Sequence, residues 1–288
     1  MTANTKQGER RDSNLTVRPL QPTIGAEIEG ADLRYPLSEA TRDQIKAAVL
    51  EYKVVFFRDQ DIDQHQYAAF AREFGQLYVY PGHDSPPDRE PSIQQVDAAN
   101  PKIKDRFGDL RKPDGWDPYH IDTSWRLTPA RGGVLRAVAV PEVGGDTIWV
   151  DAGLAYEKLP GDIKQRLNDL HATNDFREVL LSSGHAYPIV AHPIVRTHRE
   201  TGRKILFVNF VNRPWIVGLD QVESRELLTL LHDQYRRPEY QVRFSWRPGS
   251  IAFWDNQATV HYGVHDYGDF PRLLERILIA DKPEYDDM

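Results

Sequence analysis

His120-Ile121-Asp122 sets an imidazole and a carboxylate two residues apart. The segment around it, Trp116-Asp117-Pro118-Tyr119-His120-Ile121-Asp122-Thr123-Ser124-Trp125, is rich in aromatic and β-branched residues and reads as extended. A period of two then directs both side chains to one face of a strand. Such a pair is two-thirds of a facial metal triad, the arrangement that leaves three positions open on a non-haem Fe(II). The tripeptide also suits a hydrogen-bonded strand histidine beside an exposed aspartate, so its meaning depends on residues elsewhere.

A second imidazole, His261, follows the apolar end of Trp254-Asp255-Asn256-Gln257-Ala258-Thr259-Val260. Arg272 and Arg276 lie beyond it and frame a strand that begins Leu273-Leu274. Upstream, Gly144-Gly145-Asp146-Thr147 places a hydroxyl just after a glycine turn. His265 lies near the same loop as His261, which is preferred because it directly follows an apolar strand. The other histidines read as helix-face, helix-end or turn residues: His65, His171, His185, His192, His198 and His232.

The elements that must position these groups are mostly short strands. Leu15–Pro19 and Gly25–Gly30 read as strands, and Val54-Val55-Phe56-Phe57 as a buried one. Ser38 caps a predicted helix to about Tyr52, and Asp63 with Gln66 makes a capping box for a helix that stops at Gly75. From about residue 79 to 118, repeated Pro and Gly break periodic structure, and the stretch reads as a lid over the site. Strands are predicted at Val134–Val140, Thr147–Val150, Ile205–Phe210, Val242–Trp246, Ser250–Trp254 and Leu274–Ala280. Helices are predicted at about Ala152–Leu159, Gly161–His171 and Val222–Tyr235, with the charged run Arg196–Lys204 as a solvated hairpin turn. Many short strands with a few helices favour a mainly β fold, a jelly-roll core flanked by helices.

Composition narrows the chemistry. The chain has 288 residues, 40% of them hydrophobic and 27% charged, as in a globular protein with one sizeable core. We expect residues 15–288 to form a single domain behind a disordered tail at 1–14. With no cysteine, zinc-thiolate sites, iron–sulfur clusters, disulfides and thiol nucleophiles are excluded, so a metal must be held by the ten histidines and the carboxylates. A net charge of −7 gives no broad footprint for nucleic acid or an anionic membrane, so an anionic substrate must be met by local arginines. Arg10-Arg11 is not followed by the apolar run of a signal peptide, no stretch is long and apolar enough to span a membrane, and a cytoplasmic location is expected.

Taken together, His120-x-Asp122, the Gly-Gly-Asp-Thr turn ending at Thr147, His261 and Arg272 resemble the Fe(II)- and 2-oxoglutarate-dependent dioxygenases of the taurine dioxygenase and 2,4-D dioxygenase group, which includes alkylsulfatases. The likeness runs from Val54-Val55-Phe56-Phe57-Arg58-Asp59-Gln60, through Phe74-Gly75-Gln76-Leu77, to Asp281-Lys282-Pro283. It implies a cupin-like double-stranded β-helix in which His120, Asp122 and His261 bind Fe(II). Arg272 would pair bidentately with the distal carboxylate of 2-oxoglutarate, assisted by Thr147, with O2 as second cosubstrate and succinate and CO2 released. Halogenating relatives carry Ala or Gly in place of Asp122, so its presence implies hydroxylation. Arg276 stands where sulfonate- and sulfate-using relatives face the substrate anion, which implies a small anionic organic substrate: a sulfonate, sulfate ester or carboxylate. The group commonly forms dimers or tetramers, and a homo-oligomer is expected.

Tyr80 and His83 stand where taurine-using members have His and Tyr, and Trp116 where they have Asn. With Phe210, these residues imply a larger and more aromatic substrate pocket, although Tyr80, His83 and Trp116 suit a lid core equally well. Two alternatives stay open: the same site performing desaturation or epoxidation in secondary metabolism, or a jelly roll that binds metal without catalysis.

Overall fold

Two sheets facing each other hold the centre of the computed structural model, which describes residues 15–79, 89–97, 116–177, 187–211 and 213–281. Tyr80, His83, most of the predicted lid and the predicted tail lie outside the described residues. Among those described, the larger sheet has seven strands: β1 (Thr16–Pro19), β2 (Ala26–Glu29), β3 (Val54–Phe57), β4 (Gln94–Asp97), β5 (Gly132–Ala139), β12 (Ile251–Asp255) and β14 (Leu273–Ile279). Their spatial order is β1-β2-β3-β12-β5-β14-β4, antiparallel except where β2 meets β3. The smaller sheet is formed by β11 (Gln241–Phe244), β6 (Thr147–Asp151) and β13 (Thr259–Gly263), in that order. Two hairpins lie outside both sheets: β7 (His171–Asn174) with β8 (Val190–Pro193), and β9 (Val195–Thr197) with β10 (Lys204–Leu206). This is the expected mainly β jelly roll.

The central strands β3 and β12 of the larger sheet are buried on both faces, which explains why they read as unbroken apolar runs. Val54 and Phe56 of β3, Ala252 and Trp254 of β12, and Leu274 and Leu278 of β14 point between the sheets, against Trp149, Val242, Phe244 and Trp246. Their neighbours Val55, Phe57, Ile251, Phe253, Ile277 and Ile279 face α1 (Glu39–Tyr52) and α2 (Gln64–Arg72). Both caps form as the sequence indicates: Thr41 N donates to the Ser38 hydroxyl, and Asp63 and Gln66 make a reciprocal capping box. The outer face of the smaller sheet is covered by α3 (Ala152–Glu157), α4 (Gly161–Leu167) and α5 (Gln221–Tyr235), through Leu167, Leu227, Leu228, Leu231 and Tyr235. No helix among the described residues is long and apolar enough to cross a membrane.

Several expectations change. Residues 94–97 are not cover but the edge strand β4, paired with Leu273–Arg276 of β14; the surrounding prolines hide a four-residue strand. The helix expected to reach His171 stops at Leu167, because Asp169 turns the chain with φ 66° and His171 opens β7. Ile205–Phe210 is strand only as far as Leu206. The Arg196–Lys204 hairpin forms, but His198 within it is buried and shares a 2.8 Å hydrogen bond with Asp255.

Candidate active site

The chemistry-bearing residues gather between the sheets. Residues of β14 at even positions, Leu274 and Leu278, face the smaller sheet, and Arg276 shares their parity. Trp149 of β6 is opposite His261 of β13, and its ring stacks on the imidazole at 6.1 Å. Trp254 meets the same imidazole edge-on at 5.1 Å. A Cβ on Gly133 would lie 2.2 Å from the Trp254 ring, so only glycine lets this indole take its place.

His120 reaches the site by a single bridge rather than a regular strand. Its N–H donates to His261 O at 2.9 Å, and His261 N–H donates to His120 O at 3.0 Å. Beyond it the chain turns, so His120 and Asp122 do not share one strand face as the period of two indicated. Thr123 has φ 55°, a left-handed conformation rare for a β-branched residue, so the chain leaves Asp122 in a turn and not in a strand.

Ligand atoms of His120, Asp122 and His261 all lie within 4.8 Å of one another. His120 Nδ1 lies 3.0 Å from Pro118 O, and because a carbonyl only accepts, Nδ1 carries the proton and Nε2 offers its lone pair. His261 Nε2 is 3.8 Å from Asp122 Oδ2. Asp122 Oδ2 and His261 Nδ1 are buried without a hydrogen-bond partner, and a carboxylate oxygen so enclosed fits a cation. Burial, then the neighbouring His120, push the His261 imidazole down to about 3, and burial also lowers His120. Burial alone would raise Asp122, but the Arg276 guanidinium and the two imidazoles outweigh it and hold the carboxyl below its usual range. Two neutral imidazoles and one carboxylate are the donor set of the facial triad.

Arg272 stands at the entry to β14, 5% exposed. Its Nε donates to Gly145 O at 2.9 Å and its Nη2 approaches Thr147 Oγ1 at 3.5 Å, while the guanidinium lies over the Tyr267 ring at 5.6 Å. Gly145 has φ 70°, and a Cβ there would sit 3.1 Å from the Arg272 side chain. Thr147 Oγ1 also accepts from Trp246 Nε1 at 3.0 Å, which leaves the hydroxyl proton to be donated elsewhere. Arg276 donates through Nη1 to Asp122 Oδ1 and through Nη2 to Gln94 Oε1 at 2.8 Å.

The structure thus brings together six of the residues singled out in the sequence: His120, Asp122, His261, Thr147, Arg272 and Arg276. Trp116 and Phe210 meet edge to face at 5.4 Å in a buried aromatic group with His232 and Tyr119, beneath the segment that leads to His120. His265 is exposed, lies 3.4 Å from the Tyr267 hydroxyl and is not one of the three clustered residues. Sequence reasoning missed Gln94, hidden in the proline-rich stretch, Trp246, whose indole N–H gives no pattern, and His232, whose Nε2 accepts from Asp117 N at 2.8 Å.

Comparison with known proteins agrees with this geometry. Residues 16–278 match the model of the taurine catabolism dioxygenase TauD, TfdA family. An alkylsulfatase from Acinetobacter baylyi is 32% identical over 286 residues, covering 92% of this chain and 85% of that protein. An alpha-ketoglutarate-dependent 2,4-dichlorophenoxyacetate dioxygenase from Cupriavidus pinatubonensis is 32% identical over 268 residues, covering 87% and 92%. The crystal structure of a taurine dioxygenase from Burkholderia xenovorans superposes with a TM-score of 0.78 at 35% identity, covering 93% of this chain and 91% of that one. A match over most of the chain, on a jelly roll that gathers two imidazoles, a carboxylate and a buried arginine, places this protein in the TauD/TfdA family of Fe(II)- and 2-oxoglutarate-dependent dioxygenases.

Proposed function

We propose that this chain hydroxylates a small organic anion, a sulfonate, sulfate ester or carboxylate, within one catalytic domain spanning residues 15–288. The observation that carries the reading is the convergence of His120, Asp122 and His261 beside two separately held arginines. His120 through Nε2, Asp122 through Oδ2 and His261 would hold the Fe(II). When bound, Fe(II) with 2-oxoglutarate and O2 supplies an oxidant that removes hydrogen from an unactivated C–H bond, with succinate and CO2 released.

The chain's own residues bind and orient. Arg272 keeps Nε on Gly145 O and turns its remaining N–H groups to the distal carboxylate of 2-oxoglutarate, a planar fork meeting a planar acceptor. Thr147, with Trp246 and Arg272 donating to its oxygen, would donate a hydrogen bond from its hydroxyl to that carboxylate. Arg276, whose Nη groups meet Asp122 Oδ1 and Gln94 Oε1, would take the substrate's anionic group with its remaining N–H donors and so hold a neighbouring carbon beside the Fe(II). Trp116 and Phe210 pack in the buried aromatic group with His232 and Tyr119 and would shape the substrate site only from behind it, while Tyr80 and His83 are proposed as direct substrate contacts. The enzyme acts as a cytoplasmic homo-oligomer, and light scattering after gel filtration tests its assembly.

Anaerobic addition of Fe(II) and 2-oxoglutarate should produce a weak visible metal-to-ligand absorption band. A panel of sulfonates, sulfate esters, aryloxy acids and N-substituted amino acids, scored by stimulated succinate formation, then identifies the substrate. Absence of the band in iron-loaded protein would sink the reading, and product mass separates hydroxylation from desaturation or epoxidation.

A further inference from the structure

The turn between β12 and β13 does more than connect two strands. Asn256 in this turn is fully buried, and each of its hydrogen-bonding positions is filled. Its Oδ1 accepts from Asp122 N at 3.0 Å and from Trp254 Nε1 at 3.4 Å, and its Nδ2 donates to Asp122 O at 2.9 Å and Ala130 O at 2.8 Å. Rotating the amide by half a turn would set donor against donor and carbonyl against carbonyl, so the partners fix which atom is which. Thr123 adds a second tie: its hydroxyl donates to Asp122 O at 2.7 Å and accepts from Ala130 N at 2.7 Å.

We propose that Asn256, with the Thr123 hydroxyl, is a positioning residue that clamps both main-chain groups of Asp122 and so sets where its carboxylate points relative to His261. The inference rests on reading His120, Asp122 and His261 as metal ligands. The turn that carries Asn256 leads directly into β13 and His261, so one short segment fixes two of the three ligands against each other. The turn is itself rigid: Asp255 Oδ1 accepts from Gln257 N at 2.9 Å and Ala258 N at 3.2 Å, and the Thr259 hydroxyl donates to Asp255 O at 2.8 Å. Asp122 opens a turn that lies 134 residues from Asn256 in sequence, and the clamp ties it to the segment that holds its partner ligand.

The test is divalent-metal affinity, measured on apo protein by the electron paramagnetic resonance signal of free Mn(II). Asn256→Asp keeps the shape and the acceptor but turns a donor into an acceptor facing two carbonyls, and Asn256→Ala removes all four bonds. Each should weaken Mn(II) binding by about 10- to 100-fold, while 2-oxoglutarate affinity at saturating metal stays near that of the unaltered protein. Ile45→Val, in α1 on the far side of the larger sheet, controls for general destabilisation: it should lower Tm without moving metal affinity. If the Asn256 variants do not fold, Thr123→Gly, which loses the hydroxyl but relieves the backbone, should bind metal more weakly than Thr123→Ser, which keeps it. Unchanged Mn(II) affinity in folded Asn256→Ala, or equal affinities in the Thr123 pair, overturns the clamp alone. Failure of the unaltered protein to bind Mn(II) or Fe(II) overturns the reading of the site instead.

Discussion

Arg276→Ala separates the work of the two arginines. In the structure Arg276 directs its fork to Asp122 Oδ1 and Gln94 Oε1, and its side chain is 19% exposed. A substrate anion taken by that fork gains two charge-assisted hydrogen bonds, each contributing about 1.5–3 kcal/mol when buried. Partial exposure screens them, so the pair is set at about 2–4 kcal/mol. At about 1.36 kcal/mol per tenfold change, kcat/KM for the anionic substrate should fall by about 30- to 900-fold. Arg272 has its own anchors in Gly145 O, Thr147 and the Tyr267 ring, and it does not depend on Arg276. The KM for 2-oxoglutarate should therefore change little in Arg276→Ala and rise steeply in Arg272→Ala.

The assay is initial-rate succinate formation, varying substrate and 2-oxoglutarate in turn. Fe(II) must be saturating, because Arg276→Ala also strips Asp122 of the guanidinium that, with the two imidazoles, offsets its burial and lowers its proton affinity. Arg276→Lys is the informative companion: it keeps the charge without the planar fork and should lie between the alanine variant and the unaltered enzyme. If both alanine substitutions raise only the KM for 2-oxoglutarate, the division of labour is wrong.

Three further outcomes follow from the packing and electrostatics. Thr147→Val keeps the shape but removes the hydroxyl, and losing one hydrogen bond to an anion should raise the KM for 2-oxoglutarate by about 10-fold or more while sparing the substrate KM; equal values for the two enzymes would show that Thr147 does not touch the cosubstrate. Gly133→Ala forces a methyl against the fully buried Trp254 ring and should cost about 3 kcal/mol or more, lowering Tm by about 6–12 °C; a Tm loss below about 2 °C, read by calorimetry, would contradict that contact. His192 is buried with Nε2 2.8 Å from Ser124 O, and burial followed by Arg196 pushes it down to about 4. The unfolded chain, with an ordinary imidazole near 6.5, takes up that proton first. This contribution is therefore present above about pH 6.5 and is lost as pH falls towards 4, amounting to about 3 kcal/mol. His192→Gln should flatten the fall of Tm between about pH 7 and 4.5, and identical slopes would refute the assignment.

Much of the fold was legible because its signals are local. Ser38, Asp63 and Gln66 cap helices through side-chain oxygens within three residues, and the structure shows those bonds. Val54-Val55-Phe56-Phe57 read as a buried strand since a sheet covered on both faces admits no polar alternation. What was missed depended on distant partners. β4 is strand because β14 offers it four residues to pair with, and prolines nearby say nothing of that offer. Phe207, Val208 and Phe210 stay buried without remaining strand, because they pack beside Tyr119 and Tyr235 instead of extending a sheet.

At the site, the residue types could be read but the backbone that aims them could not. A period of two placed His120 and Asp122 on one face, yet only His120 pairs with β13, and the chain turns at once. A β-branched residue at positive φ, as Thr123 is, costs about 1–3 kcal/mol. The bonds from Asn256 and the Thr123 hydroxyl to Asp122 and Ala130, at about 1 kcal/mol net each, are of the size needed to offset that strain. A regular strand would have directed the carboxylate along the sheet normal fixed by its neighbours. On the clamp proposed above, a strained turn held from outside would let its direction be set by another segment, the one that leads into His261, so that three side chains keep a common geometry without belonging to a common element.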